Sequence, residues 1–119
     1  MLNHIDLVGR LAHDPELRRT NTGKAVTTFP IAVTRTQNRE ETDYFDVVAW
    51  GTTAENVCRY LTKGSQVAVE GGLQQRKWKD KDGQPRSTVE INAQNVFFLS
   101  SPKREKAEPK YYEPEALPE

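Results

Sequence analysis

The sequence is poor in the residues that most catalytic and metal-binding proteins need. Of 119 residues, one is cysteine, one methionine and two histidine. The lone Cys58 excludes an internal disulfide and supplies no set of thiolates for a metal. His4 and His13 have no cysteine or histidine cluster around them, and no nucleophile or metal-ligand motif occurs. The chain is therefore expected not to be an enzyme and to need no cofactor or metal. The N-terminus, Met1 to Asp6, lacks an apolar run long enough for a signal peptide or a membrane span, so a cytoplasmic protein is expected. An excess of one charge is also missing: 17 Lys and Arg balance 17 Asp and Glu. Only the distribution of charge can then speak about a polyanionic partner. Hydrophobic content is 35% and mean hydropathy −0.79, which allows one modest core with a short tail.

What is present centres on residues 43–50, Asp-Tyr-Phe-Asp-Val-Val-Ala-Trp, closed by Gly51. β-Branched and aromatic residues dominate, as in a strand. Side chains alternate along a strand, so Phe45, Val47 and Ala49 share an apolar face directed at the core. Tyr44, Asp46, Val48 and Trp50 share the other. Two large rings on a wet face form a platform for flat ligands, or else lie under a loop or in a subunit interface.

Strand periodicity recurs at His4 to Ala12, where Ile5, Leu7, Gly9 and Leu11 alternate and Gly9 suggests a bend. Leu17-Arg18-Arg19 is a short extended piece between the turns at Asp14-Pro15 and Asn21 to Lys24. Ala25 to Arg35 is the second strand, with Phe29, Ile31 and Val33 on one face; Pro30 belongs at an edge or bulge because it cannot donate to a ladder. After a polar loop and the central strand comes the one helix. Thr52 and Glu55 have capping-box spacing, Ala54, Val57, Cys58 and Leu61 form one stripe, and Lys63-Gly64 reads as the stop. Cys58 on that stripe is read as a packed thiol. Gln66 to Lys79 is a long strand with Val67, Val69, Gly71 and Leu73 on one face. Asp80 to Gly83 is turn chemistry, Arg86 to Ala93 returns, and Val96 to Leu99 closes the domain. Four of seven prolines fall within 102–118; residues 101–119 read as a disordered tail behind a domain of residues 1–100.

Five strands with a single helix between the third and fourth is the order of an all-β OB-fold barrel, whose second and third strands bind oligonucleotides or oligosaccharides. An α/β sheet would need more helices. Residues 1–100 hold 13 Lys and Arg against 12 Asp and Glu, yet Arg76, Lys77, Lys79 and Lys81 crowd around Trp78. Cations beside a ring suit a single nucleic-acid strand: the cations follow phosphates and the ring takes a base. The plainer alternative is a solvated hairpin with Trp78 folded back on the barrel.

At this point the chain resembles the bacterial and mitochondrial single-stranded DNA-binding protein family. The resemblance covers about the first hundred residues. It rests on Leu7-Val8-Gly9-Arg10-Leu11, Asp14-Pro15-Glu16-Leu17-Arg18, Asp43 to Val48, Ala54-Glu55, Tyr60 to Val67, Glu70-Gly71, Arg76-Lys77-Trp78 and Asp82-Gly83, all in family order. It implies a nucleoid-associated homotetramer that wraps single-stranded DNA in replication, recombination and repair. Carried over by position, the stacking aromatics are Tyr44, Trp50 and Trp78, and the matching cations are Arg18, Lys63, Arg76 and Lys77; Lys79 joins them from the reading of the arm. Gln37 stands where a further aromatic is usual, Arg19 where an aromatic is common, and Asp46, Thr52 and Gln74 where basic residues are frequent. The same binding mode with fewer contacts is implied. Phe45 takes a position often held by an interface histidine. The tail, ending Glu113 to Glu119, is weakly acidic and lacks a terminal aromatic. Recruitment of replication and repair proteins is therefore less expected than DNA binding. A tail-poor paralogue for DNA uptake and a primosome-type interaction module are the alternatives.

Overall fold

The computed structural model describes residues 1–100. The expected tail, 101–119, lies outside them. The elements run β1 (Ile5–Leu11), β2 (Arg18–Arg19), β3 (Ala25–Thr34), β4 (Thr42–Trp50), α1 (Gly51–Tyr60), β5 (Gln66–Lys79) and β6 (Pro85–Phe98). The short extended piece at Arg18–Arg19 is the added strand; the helix still separates the third and fourth long strands.

The sheet order is β1-β5-β6-β4-β3-β2, and β1 also pairs β3, which closes the five long strands into a ring. This is the OB-fold barrel expected from the element order. Closure is achieved at two glycines. β1 leaves β5 and meets β3 at Arg10 and Leu11. A Cβ on Gly9 would lie 2.6 Å from the Ala32 carbonyl oxygen, so only glycine admits that approach. The second is Gly71, beside a bulge between β5 and β6. A Cβ there would collide with the Asn92 carbonyl.

The bulge also explains the two hydrophobic phases of β6. Glu70 faces Asn95 and Gly71 faces Ala93, so Gln94 is an inserted residue. Ile91 and Ala93 point inward before it; Val96 and Phe98 do so after it. One extra residue moves the inward set from odd to even positions.

The core comprises Leu11, Ala25, Phe29, Ile31, Val47, Ala49, Ala54, Val57, Leu61, Val67, Val69 and Ile91. Thr27 is buried with them and donates its hydroxyl to the Glu16 carbonyl at 2.8 Å. The helix closes the barrel through Ala54, Val57 and the buried thiol of Cys58, packing against β3, β4 and β6. Pro30 sits between the segments of β3 that pair with β2 and β1, as its missing donor requires. Its carbonyl accepts from Ala12 N–H at 2.9 Å.

Three local expectations need correction. The helix begins at Gly51, whose φ of +62° turns the chain straight out of β4, so Trp50 is the N-cap and no side chain caps the helix. Thr52 is then already inside the first turn, and the Thr52–Glu55 box does not form. The helix ends at Tyr60 with Leu61 extended; Lys63-Gly64 lies in the following turn, where Gly64 has φ +92° and its N–H bonds the Leu11 carbonyl. Finally, Phe45 and Leu73 lie on inward-facing registers but project past the core, 38% and 45% exposed.

Candidate nucleic-acid interface

The outer face of the barrel can be assembled row by row from the strand register. On β4, Val47 and Ala49 are buried, so Tyr44, Asp46, Val48 and Trp50 point outward. Trp50 neighbours Val26 of β3, and Val26 neighbours Arg18 of β2. On the other side Val48 neighbours Asn92 of β6, and Asn92 neighbours Gly72 of β5. Counting outward from Gly72 by twos places Gln74, Arg76 and Trp78 on this face, opposite Glu90, Thr88 and Arg86. Arg18, Tyr44, Trp50, Arg76 and Trp78 therefore share one surface. Tyr44 and Trp78 lie toward one end of it, two strands apart; Trp50 and Arg18 lie toward the other. The rings are 64% (Tyr44), 44% (Trp50) and 40% (Trp78) exposed.

The β5–β6 arm outruns the core. Beyond Ile91 its residues are not buried, and from Leu73 to Lys79 it projects roughly 20 Å at strand rise. Its tip is tied by Asp80. One carboxylate oxygen accepts from the backbone N–H of Asp82 and Gln84, both at 2.9 Å, and the other accepts from Arg86 Nε at 2.9 Å. These bonds, the Gln84 N–H first, hold the Asp80 carboxyl below its ordinary value. Gly83 completes the turn with φ +81°.

Alternation splits the basic stretch that is continuous in sequence. Lys77 and Lys79 pair with Ser87 and Pro85 on the face opposite Trp78. Arg76 shares the face of Trp78 but is engaged: its Nε is 2.9 Å from Glu90 Oε2, and its guanidinium carbon is 4.6 Å from the Trp78 ring centroid. An open depression at the tip is lined by Lys77, Trp78, Lys79, Pro85, Arg86 and Ser87. Lys63 lies elsewhere, in the turn after the helix, where its backbone N–H donates to Asp14 Oδ1 at 2.7 Å. Arg18, Lys63, Lys77 and Lys79 form no ion pair with another described residue.

At the start of β4, beside Tyr44, Arg35 donates two bonds, 2.9 and 3.0 Å, to the Asp43 carboxylate and so pins the base of the 36–41 loop. That bonding holds Asp43 below its ordinary pKa and raises Arg35.

Two groupings escape sequence reasoning. Glu90 is one; counting back from the Asp80 turn would have set it opposite Gln74, diagonal to Arg76. The other is His4, Asp6 and Glu70, whose ligand atoms lie within 4.8 Å of one another. Glu70 is 64 positions from Asp6 in sequence and only the β1–β5 register brings them opposite. His4 and Asp6 are exposed, and no further feature points to an ion there.

A closed OB barrel with outward rings on one face defines a class of oligonucleotide- or oligosaccharide-binding module. Residues 2–99 match the single-strand binding protein family, and the chain belongs to that family. It is 47% identical over 105 residues to the single-stranded DNA-binding protein of Treponema pallidum, covering 84% of this chain and 59% of that one. It is 46% identical over 103 residues to single-stranded DNA-binding protein A of Bacillus subtilis, covering 83% and 60%. Single-stranded DNA-binding protein 2 of Staphylococcus aureus is 48% identical over 103 residues, covering 83% and 73%. The matched region thus spans about three-fifths of the first two relatives. Among the described residues no helix is long and apolar enough to cross a membrane.

Proposed function

We propose that the chain binds single-stranded DNA without regard to sequence and acts, without catalysis, in replication, recombination and repair. The observation that carries the reading is the common outward face of Tyr44, Trp50 and Trp78. Bases stack on those rings at about 1–3 kcal/mol each, and any base will serve because each has a π-face. Arg18 on the same face, Lys77 and Lys79 on the arm and Lys63 at the barrel end neutralise phosphates. The relatives' names agree with this ligand.

The proposed assembly is a homotetramer. β1 pairs β5 from Ile5 to Arg10 but reaches β3 only at Arg10 and Leu11, so among the described residues its second edge is unpaired from Ile5 to Val8. Such an edge invites another strand. Val8 (51%) and Phe97 (52%) add exposed apolar side chains on the outside of the barrel.

The test is a tryptophan-fluorescence titration with poly(dT) at two salt concentrations, with mass measured alongside. Quenching that saturates, weakens with salt and is absent with duplex is expected. Unchanged emission at saturating oligonucleotide would remove the stacking mechanism, and a monomeric mass would remove the assembly.

A further inference from the structure

Trp78 is not a bare ring. Glu90 anchors Arg76 at 2.9 Å, and the guanidinium of Arg76 covers one face of the indole at 4.6 Å. The tip depression borders Trp78, Lys77, Lys79, Arg86, Pro85 and Ser87, and neither Arg76 nor Glu90 lines it. Carboxylate, guanidinium, indole and open space thus follow one another along the arm. The Glu90 side chain is only 14% exposed, whereas that of Arg76 is 54% exposed, so the carboxylate is the fixed end of the series.

Resting on the reading of the chain as a single-strand binder, we propose that Glu90 and Arg76 are positioning residues. They back Trp78 on one face, so that the arm receives one nucleobase, on the tip side of the indole. A planar guanidinium over an indole holds the ring's rotamer and polarises it. A ring already held costs less to order when a base arrives. Arg76 is consumed by Glu90 and Trp78 and makes no phosphate contact. Lys77 and Lys79 supply the charge beside the slot.

The proposal separates two measurements that a phosphate-binding arginine would join. Oligo(dT) affinity is measured for the full chain over a range of salt. Arg76→Ala and Glu90→Gln each weaken binding about three- to tenfold, a stacked cation's share. Both leave the slope of log affinity against log salt unchanged. Lys77→Ala lowers that slope by about 0.7, the value for one phosphate contact on a single strand. In a Trp78→Ala background, Arg76→Ala and Glu90→Gln have no further effect. Arg76→Lys keeps the charge without the planar stack and behaves like Arg76→Ala; thermal melts of all variants match the parent because the arm lies outside the core. A slope reduced by Arg76→Ala, tighter binding by Glu90→Gln, full affinity in Arg76→Lys, or losses that persist without Trp78 would each overturn the assignment. If the parent chain itself leaves oligo(dT) unbound, the single-strand reading fails first. Variant differences bear on Glu90 and Arg76 only when the parent binds.

Discussion

Trp50 does two separable things. Its backbone caps the helix, and its indole stands in water on the outer face. Replacing the ring therefore leaves the cap in place. Trp50→Ala and Trp78→Ala are each expected to weaken oligo(dT) binding by about 1–3 kcal/mol, read by titration, with little change in the thermal melt. Asp80 is informative at the same scale. Its folded pKa is depressed, so its contribution is present above the ordinary aspartate value and is lost as pH falls through the lowered one. Acid titration should therefore lower the protection of the Asp82 and Gln84 amides, measured against their intrinsic exchange rates, because the carboxylate holds both N–H groups. Asp80→Ala should show low protection there at every pH. That Trp50 faces outward was legible from alternation along its own strand. That Arg76 is engaged shows only when the hairpin is counted back from the Asp80 turn, which sets Glu90 diagonal to it.

The helix shows how a local signal can be present and unused. Thr52 and Glu55 have the right spacing, but Gly51 at φ +62° starts the helix two residues earlier, with Trp50 at the N-cap. Thr52→Ala is consequently expected to change stability by no more than about 0.5 kcal/mol, as at an ordinary surface site, rather than the ~1 kcal/mol of a lost cap. A urea melt decides between them. The arm teaches the complementary lesson. Arg76 to Lys81 is one basic cluster in the linear sequence, yet a strand divides it: Arg76 and Trp78 to one side, Lys77 and Lys79 to the other. The expected interleaving of ring and cations is therefore an arrangement across the two faces of a thin arm. Alternation alone would have shown the split.

At the level of the whole molecule, closure depends on backbones meeting where no side chain fits. Gly71→Ala would drive a methyl into the Asn92 carbonyl. A loss of about 1–3 kcal/mol is expected, seen as a lower melting temperature. The Arg35–Asp43 pair anchors the β3–β4 loop where it leaves the barrel, and Asp80 braces the turn at the far tip of the β5–β6 arm. If Arg18, Lys63, Lys77 and Lys79 each meet one phosphate, the salt slope per chain is about −3. A slope near zero would leave the cations without their role. Self-association along β1 predicts that a proline at Val8 lowers the mass in solution by removing a donor from the strand.

The sequence by itself determined the strands, the helix, the turns and the outward direction of Tyr44 and Trp50. Each follows from backbone geometry within a few residues: a period of two in strands, 3.6 in the helix, and positive φ at Gly23, Gly64 and Gly83 in the turns. It also carried the barrel topology, because strand order with a single helix leaves few ways to close. Only the tertiary structure decided which rows align. The parallel pairing of β4 with β6 sets Val47 against Ile91, 44 positions on, and the bulge at Glu70/Gly71 offsets β5 against β6. That register puts Arg18, Tyr44, Trp50 and Trp78 on one surface, while the hairpin turn at Asp80 brings Glu90 to Arg76. Pairing register is a property of two strands together, and no window on one of them contains it.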